Sequence, residues 1–192
     1  GSRALSINQY YARLTQKLIA AITAPTAEGV LYEVDMRLRP SGNKGPVAAS
    51  LDSFRTYHRE SAWTWEKLAL TRARPICGDQ RLVVALQSAI RDALCMPHDP
   101  ATTRADVLDM RKLMLKEQGH TGLWDIKRVR GGLVEVEFLA QTLQLIHAPA
   151  RPDVLAANTL GALERLIAAG CLSAADGEAL RQASMLYHRL PQ

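Results

Sequence analysis

Cysteine is scarce in these 192 residues, and the three present, Cys77, Cys95 and Cys171, are widely spaced with no Cys-x-x-Cys pair. An odd, scattered set of this kind excludes a disulfide framework and gives no structural zinc site, leaving ordinary thiols of a reducing compartment as the expectation. Long apolar runs are missing as well. None approaches the roughly 20 residues needed to cross a bilayer, and no charged-then-apolar leader precedes a cleavage site, so a cytoplasmic protein without a membrane anchor is expected. The five histidines (His58, His98, His120, His147, His188) show no metal-ligand spacing and no pairing with a serine or cysteine nucleophile. Cys95 and His98 are close, but a lone Cys-x-x-His at a helix end is incidental, and both zinc chemistry and hydrolase triads are set aside. No Walker or Rossmann glycine spacing occurs either.

What is present is apolar substance and a localised charge. Hydrophobic residues make up 47% of the chain, enough for one globular core or two packed units and against disorder. The net charge of +5 lies entirely in residues 37–74, where eight basic residues (Arg37, Arg39, Lys44, Arg55, Arg59, Lys67, Arg72, Arg74) outnumber Asp52, Glu60 and Glu66. Such a segment suits an anionic partner, a triphosphate, a nucleic acid or an acidic protein; composition alone equally fits a solvated basic face.

Ser6-x-x-Gln9 has the form of a capping box, and Ile7, Tyr10, Tyr11, Leu14, Leu18 and Ile22 follow at helical spacing, predicting a helix over 7–23 that stops before Pro25. From Val30 to Pro40 the period becomes two. Tyr32, Val34, Met36 and Leu38 then point one way, toward a core, and Glu33, Asp35, Arg37 and Arg39 the other. This predicts a strand whose partners are not visible in the sequence. A turn-rich loop follows over 41–46, and the rest reads as helices over 51–60, 62–73, 79–95, 103–118, 132–147, 158–169 and 174–190. Thr103-x-x-Asp106 and Ser173-x-x-Asp176 are the expected N-caps of two of them. Gly1-Ser2 reads as a cloning remnant and the last residues are still in helical pattern, so both ends are expected to be cuts.

Three segments could carry chemistry. Glu33 and Asp35, two apart on a strand, share a face and could offer oxygen ligands to a divalent cation, with Arg37 and Arg39 extending that face toward phosphate oxygens. Ala62-Trp63-Thr64-Trp65-Glu66 precedes the double arginine of Thr71-Arg72-Ala73-Arg74, a motif that fits domain packing or a phosphate-side arginine pair. Lys127-Arg128-Val129-Arg130-Gly131-Gly132 opens a helix whose Val136, Leu139, Leu143 and Ile146 are apolar, with Glu137, Gln141 and Gln144 expected on another, polar side. A glycine pair there can admit a phosphate or a neighbouring backbone.

Taken in order, Leu31-Tyr32-Glu33-Val34-Asp35-Met36-Arg37-Leu38-Arg39-Pro40-Ser41-Gly42, the Ala62–Glu66 and Thr71–Arg74 segments, Asp125-Ile126-Lys127 with Gly131-Gly132, and Glu135-Val136-Glu137-Phe138 closely resemble glutamine synthetase adenylyltransferase. The resemblance covers nearly the whole chain. It implies one half of a two-half enzyme in which one nucleotidyltransferase attaches AMP to glutamine synthetase and the other removes it; the wording here is similar to the attaching, C-terminal half. In the family an upstream Gly-Ser-Asp-x-Asp strand gives two metal-binding carboxylates and the Val-Asp-x-Arg-Leu-Arg-Pro strand gives the third. That third residue would be Asp35, while no Asp-x-Asp occurs in these residues.

By resemblance, Asp35, with Glu33 beside it, would help hold magnesium on ATP phosphates, and Arg37 and Arg39 would contact phosphate or brace the strand. Lys127, Gly131 and Gly132 would sit where the helical domain turns back toward the nucleotide, in packing or in contact with it. The implied fold is mainly α with a small β part: residues 1–50 a partial nucleotidyltransferase core, 51–192 a helical bundle. The implied partners are ATP, glutamine synthetase and the signalling protein PII, with no nucleic acid and no membrane. The fragment itself is expected to be inactive. A non-catalytic helical docking module, a PII uridylyltransferase-like enzyme and a nucleic-acid-binding module are the rival readings.

Overall fold

The computed structural model describes residues 5–36, 39–118 and 125–190. The chain forms two compact units, Gly1–Ala62 and Trp63–Gln192.

In the first unit, helix α1 spans Ile7–Ile22 and opens on the expected capping box: the Gln9 N–H donates to Ser6 Oγ at 3.3 Å, and the Ser6 N–H to Gln9 Oε1 at 3.1 Å. Two orphan amides are thereby satisfied at the start of a helix that buries none of its residues; Ile7, Tyr10, Tyr11, Leu14 and Leu18 are all exposed. The expected strand over Val30–Pro40 is a correction. The only ladder among the described residues pairs β1 (Pro25–Thr26) with β2 (Gly29–Val30) antiparallel, and residues 31–36 join no ladder. Periodicity marks which side chains share a face, but a strand also needs a neighbour for its N–H and C=O groups, and the two-residue β1 is too short to supply one for eleven residues. The alternation survives only in part, in exposure: Glu33 and Asp35 are exposed and Val34 and Met36 half-buried, but Tyr32, expected to face the core, is exposed. Arg37 and Leu38 lie outside the described residues. Helix α2, Leu51–Glu60, is capped by Ser50 Oγ, which accepts the Ser53 N–H at 3.1 Å.

The second unit is all helical. Helix α3 (Thr64–Leu70) is fixed at its start by Glu66, whose Oε2 accepts the Trp63 N–H at 3.0 Å, so the expected start near residue 62 moves to Thr64. Helix α4 (Gln80–Leu94) is capped by Asp79. Helix α5 (Pro100–Gln118) begins earlier than expected. Asp99 accepts the Ala101 and Thr102 N–H groups at 3.1 and 2.9 Å, with Pro100 at the first helical position, where its missing N–H costs nothing. Thr103 is instead buried inside the helix, its hydroxyl donating to the Asp99 carbonyl at 3.1 Å.

Helix α6 (Leu133–His147) is the hub, packed by α3, α5, α7 (Thr159–Ala168) and α8 (Ala174–Arg189). Val136 and Ala140 of α6 meet Ala162 and Leu163 of α7, with Leu180, Ala183 and Tyr187 of α8 packed against them. A second cluster joins Ala148, Val154 and Leu166. Burying leucines of this kind contributes on the order of 2 kcal/mol each. Because α6 has neighbours on nearly every side, the polar face expected for it is not solvated: Gln141 and Gln144 are buried, while Leu139, expected inside, is exposed. Gln144 is satisfied by accepting the Ala156 N–H at 2.7 Å.

Candidate functional site

The acidic segment of the first unit leads into a tight loop built on Arg39. Its guanidinium is half-buried and donates from Nη1 to the Met36 carbonyl at 2.6 Å and from Nε to the Gly45 carbonyl at 3.2 Å, tying the two ends of the loop together. Between them Ser41 and Gly42 adopt left-handed φ values of 62° and 53°, and a side chain at Gly45 would collide with the Pro40 carbonyl. The chain is thereby turned back immediately after Glu33 and Asp35, leaving both carboxylates exposed. Asp35 and Arg39 are brought into one short segment, with Arg39 in a bracing position; Arg37 lies outside the described residues.

Two neighbouring acids can supply oxygen ligands to magnesium, but a phosphoryl-transfer ion needs more. Among the described residues no three His, Cys, Asp or Glu side chains converge, so these residues do not make a magnesium site by themselves.

The glycine pair lies in the second unit, in a turn whose hydrogen bonds are nearly all internal. The Gly132 N–H donates to the Val129 carbonyl at 2.8 Å, the Leu133 N–H to Ile126 at 3.0 Å and the Val134 N–H to Lys127 at 3.1 Å. A Cβ at Gly132 would lie 2.5 Å from the Ile126 oxygen and 2.8 Å from that of Val129, so close backbone approach requires glycine there. Gly131 has φ +80° with open space beside it, and its requirement is conformational. Its N–H donates to Glu135 Oε2 at 2.6 Å and its carbonyl accepts the Tyr187 hydroxyl at 2.9 Å. Both glycine amides are thus engaged within the protein, while the Lys127 side chain, on the same turn, is exposed.

Sequence reasoning did not find the partner that organises this turn. Arg111 of α5 donates from Nη2 to Glu135 Oε1, 24 residues away, with the Arg111 side chain only 13% exposed and that of Glu135 31%. Burial pushes the Glu135 carboxyl up, but the hydrogen bonds from Arg111 and the Gly131 N–H, aided by the charges of Arg111 and Arg130, outweigh it and hold the group below the ordinary carboxylate range. One helical turn of reasoning away, Arg72 Nη1 meets Glu137 Oε1 at 2.8 Å and ties the end of α3 to α6. Both acids stood in the Glu135-Val136-Glu137-Phe138 segment, but nothing in the sequence named their arginine partners.

Comparison with known proteins covers the chain in two parts and as a whole. A family model described as glutamate-ammonia ligase adenylyltransferase matches residues 1–89, and one described as GlnD PII-uridylyltransferase matches residues 104–191. Proteins named bifunctional glutamine synthetase adenylyltransferase/adenylyl-removing enzyme are similar throughout. That of Rhodopseudomonas palustris (strain TIE-1) is 49% identical over 192 residues, covering 100% of this chain and 19% of the relative. The Rhizobium meliloti (strain 1021) protein is 49% identical over 195 residues, covering 100% of this chain and 20% of its own length. The Bradyrhizobium diazoefficiens protein is 47% identical over 192 residues, with 100% and 19% covered. The chain therefore spans about a fifth of the length of the curated relatives it matches. Over its full length the chain is homologous to one segment of the proteins named bifunctional glutamine synthetase adenylyltransferase/adenylyl-removing enzyme.

Proposed function

We propose that this chain is the part of a glutamine synthetase adenylyltransferase that carries one acidic segment of the nucleotidyltransferase site together with the helical unit that follows it. The observation that carries the reading is the 45–49% identity, over the whole chain, to relatives bearing that name. In the whole enzyme a tyrosine hydroxyl of glutamine synthetase attacks the α-phosphorus of ATP; the new O–P bond forms as the bond to pyrophosphate breaks, and the hydroxyl proton is released. Asp35, with Glu33 beside it, lends carboxylate oxygen to magnesium, whose chemistry is to offset charge on the phosphate oxygens. Arg39 acts by holding the loop after Asp35 in shape, Arg37 is the cation assigned to phosphate, and Lys127 is assigned to the nucleotide from the helical unit, where Gly131 and Gly132 act through the shape of the turn. The enzyme works in the cytoplasm, with PII as its regulatory partner.

The test uses the full-length enzyme. Asp35→Asn removes a ligand's charge and little volume, so labelled AMP transfer to glutamine synthetase should fall by two orders of magnitude or more with unchanged helicity, and Glu33→Gln should be milder. Near-wild-type rates for both variants would remove the assignment. The 192-residue chain alone, given labelled ATP, magnesium and glutamine synthetase, should leave the synthetase unlabelled.

A second reading is favoured by one observation, the match of residues 104–191 to the PII-uridylyltransferase model. Offering the full-length enzyme ATP or UTP with glutamine synthetase or PII, and reading intact mass, separates the two: UMP on PII in preference to AMP on the synthetase selects uridylyl transfer.

A further inference from the structure

The double arginine of Thr71-Arg72-Ala73-Arg74 does not act as a pair. Arg72 is committed to Glu137, whereas Arg74 lines a separate cleft of about 320 Å³ in the helical unit. Arg91 from α4 and Arg165 from α7 line the same cleft, so two helices and the segment that follows α3 each contribute an arginine to it. Arg165 is held in place by donating to the Leu155 carbonyl. The one acid in the lining is Asp153, and both of its oxygens are taken by Arg151: Nε to Oδ1 at 3.1 Å and Nη2 to Oδ2 at 2.9 Å. Neither Arg74 nor Arg91 makes a side-chain hydrogen bond or ion pair among the described residues. The lining therefore carries three arginines against one acid, and that acid, which also feels the charge of Arg165, is already hydrogen-bonded to Arg151.

Gathering like charges raises the free energy of the fold unless something offsets it, and arginine's planar fork matches the paired oxygens of phosphate and carboxylate. The lining also includes apolar residues, among them Ile90 and Leu155. A cleft of this volume admits a metabolite-sized molecule rather than a protein segment. We propose that it binds a small organic oxyanion, a phosphate monoester or a dicarboxylate, whose charged head sits between Arg74, Arg91 and Arg165 and whose carbon skeleton lies on Ile90 and Leu155. The site uses none of the acidic loop and needs no metal.

The experiment is calorimetric titration of the 192-residue chain with phenyl phosphate and, separately, with succinate, in low salt and with a chelator present. Saturable binding of at least one is expected, and which one binds more tightly identifies the head group. Arg74→Gln/Arg91→Gln should weaken it by about tenfold or more, as loss of charge-assisted bonds does. Arg104→Gln/Arg130→Gln, an equal loss of charge elsewhere in the same unit, should leave it within twofold. Should the first double variant lose helicity, Arg91→Gln alone, on the exposed face of α4, is to show the same weakening. No saturable binding of either anion in the millimolar range, equal weakening by the two double variants, or unchanged affinity in folded Arg91→Gln would each overturn the proposal. Absence of AMP transfer by the chain bears on none of these outcomes.

Discussion

Replacing Glu135 by glutamine removes one charge and almost no volume from the junction of α5, α6 and the glycine turn. The carboxylate serves two donors, Arg111 Nη2 and the Gly131 N–H. An amide oxygen can keep one of them while its NH₂ faces the other, and Arg111, 13% exposed, is left with a nearly buried and uncompensated charge. A hydrogen bond to a charged group contributes about 1.5–3 kcal/mol, and breaking a fully buried pair costs about 3–5 kcal/mol. Because Glu135 keeps about a third of its exposure, the expected loss lies between these, about 2–3 kcal/mol. Trp63 and Trp65 belong to the helical unit, so urea unfolding followed by tryptophan fluorescence reads that unit. With a slope of about 2 kcal/mol per molar, the midpoint should fall by about 1–1.5 M at neutral pH. Since the folded carboxyl lies below its ordinary value of 4.5, its contribution is complete above that value and is lost as the pH falls through the lower folded value. The gap between wild type and Glu135→Gln should therefore be constant near neutrality and close only in acid. A midpoint change under about 0.2 M at pH 7, or a gap that widens in acid, would refute the coupling of Arg111 to the turn.

The glycine pair should separate by mechanism: Gly132→Ala places a methyl against two carbonyl oxygens and should cost more than about 2 kcal/mol, whereas Gly131→Ala meets only the left-handed backbone penalty of about 1–2 kcal/mol, and Gly131→Asn less; thermal unfolding ranks all three. Leu163→Ala, at a fully buried site where α6, α7 and α8 meet, should cost about 2–5 kcal/mol in the same urea assay. Glu178 accepts two bonds from Arg181 and one from Gln182, which bring its carboxyl down to about 2; carbon-detected NMR should find it ionised at pH 3.5, and Arg181→Gln should move its titration upward.

Helices were legible because their signals are local. Ser6 with Gln9, and Ser173, whose Oγ accepts the Asp176 N–H at 3.1 Å, form the caps their spacing announces. The start of α5 was misplaced: Asp99 followed by proline, not Thr103, caps it, and its carboxylate accepts two amides. The strand failed for the opposite reason. Alternation over Val30–Pro40 predicts which side chains share a face, and Glu33 and Asp35 are both exposed, but pairing depends on chain distant in sequence. Arg39 was read as a phosphate contact or a brace for a strand; its bonds to the Met36 and Gly45 carbonyls close a loop instead, and no spacing in the sequence announces them. Arg111 was invisible for a similar reason: nothing within its own helix marks a partner 24 residues on. The order of the motifs, by contrast, was enough to reach the family, since several segments in sequence constrain a chain far more than any one of them.

The buried Gln144 has a consequence for α6 beyond satisfying one amide. Apolar contacts let a central helix rotate or slide by small steps at little cost, since one leucine can fill another's place. The bond from Ala156 to Gln144 has a direction and a length, 2.7 Å, and so acts as an index mark. If α6 slipped by one residue, the side chain would turn about 100° away and leave a polar amide and a backbone N–H stranded in the interior. The same helix carries Glu135 and Glu137 at its other end, so the mark that fixes its register also sets where those two acids meet Arg111 and Arg72.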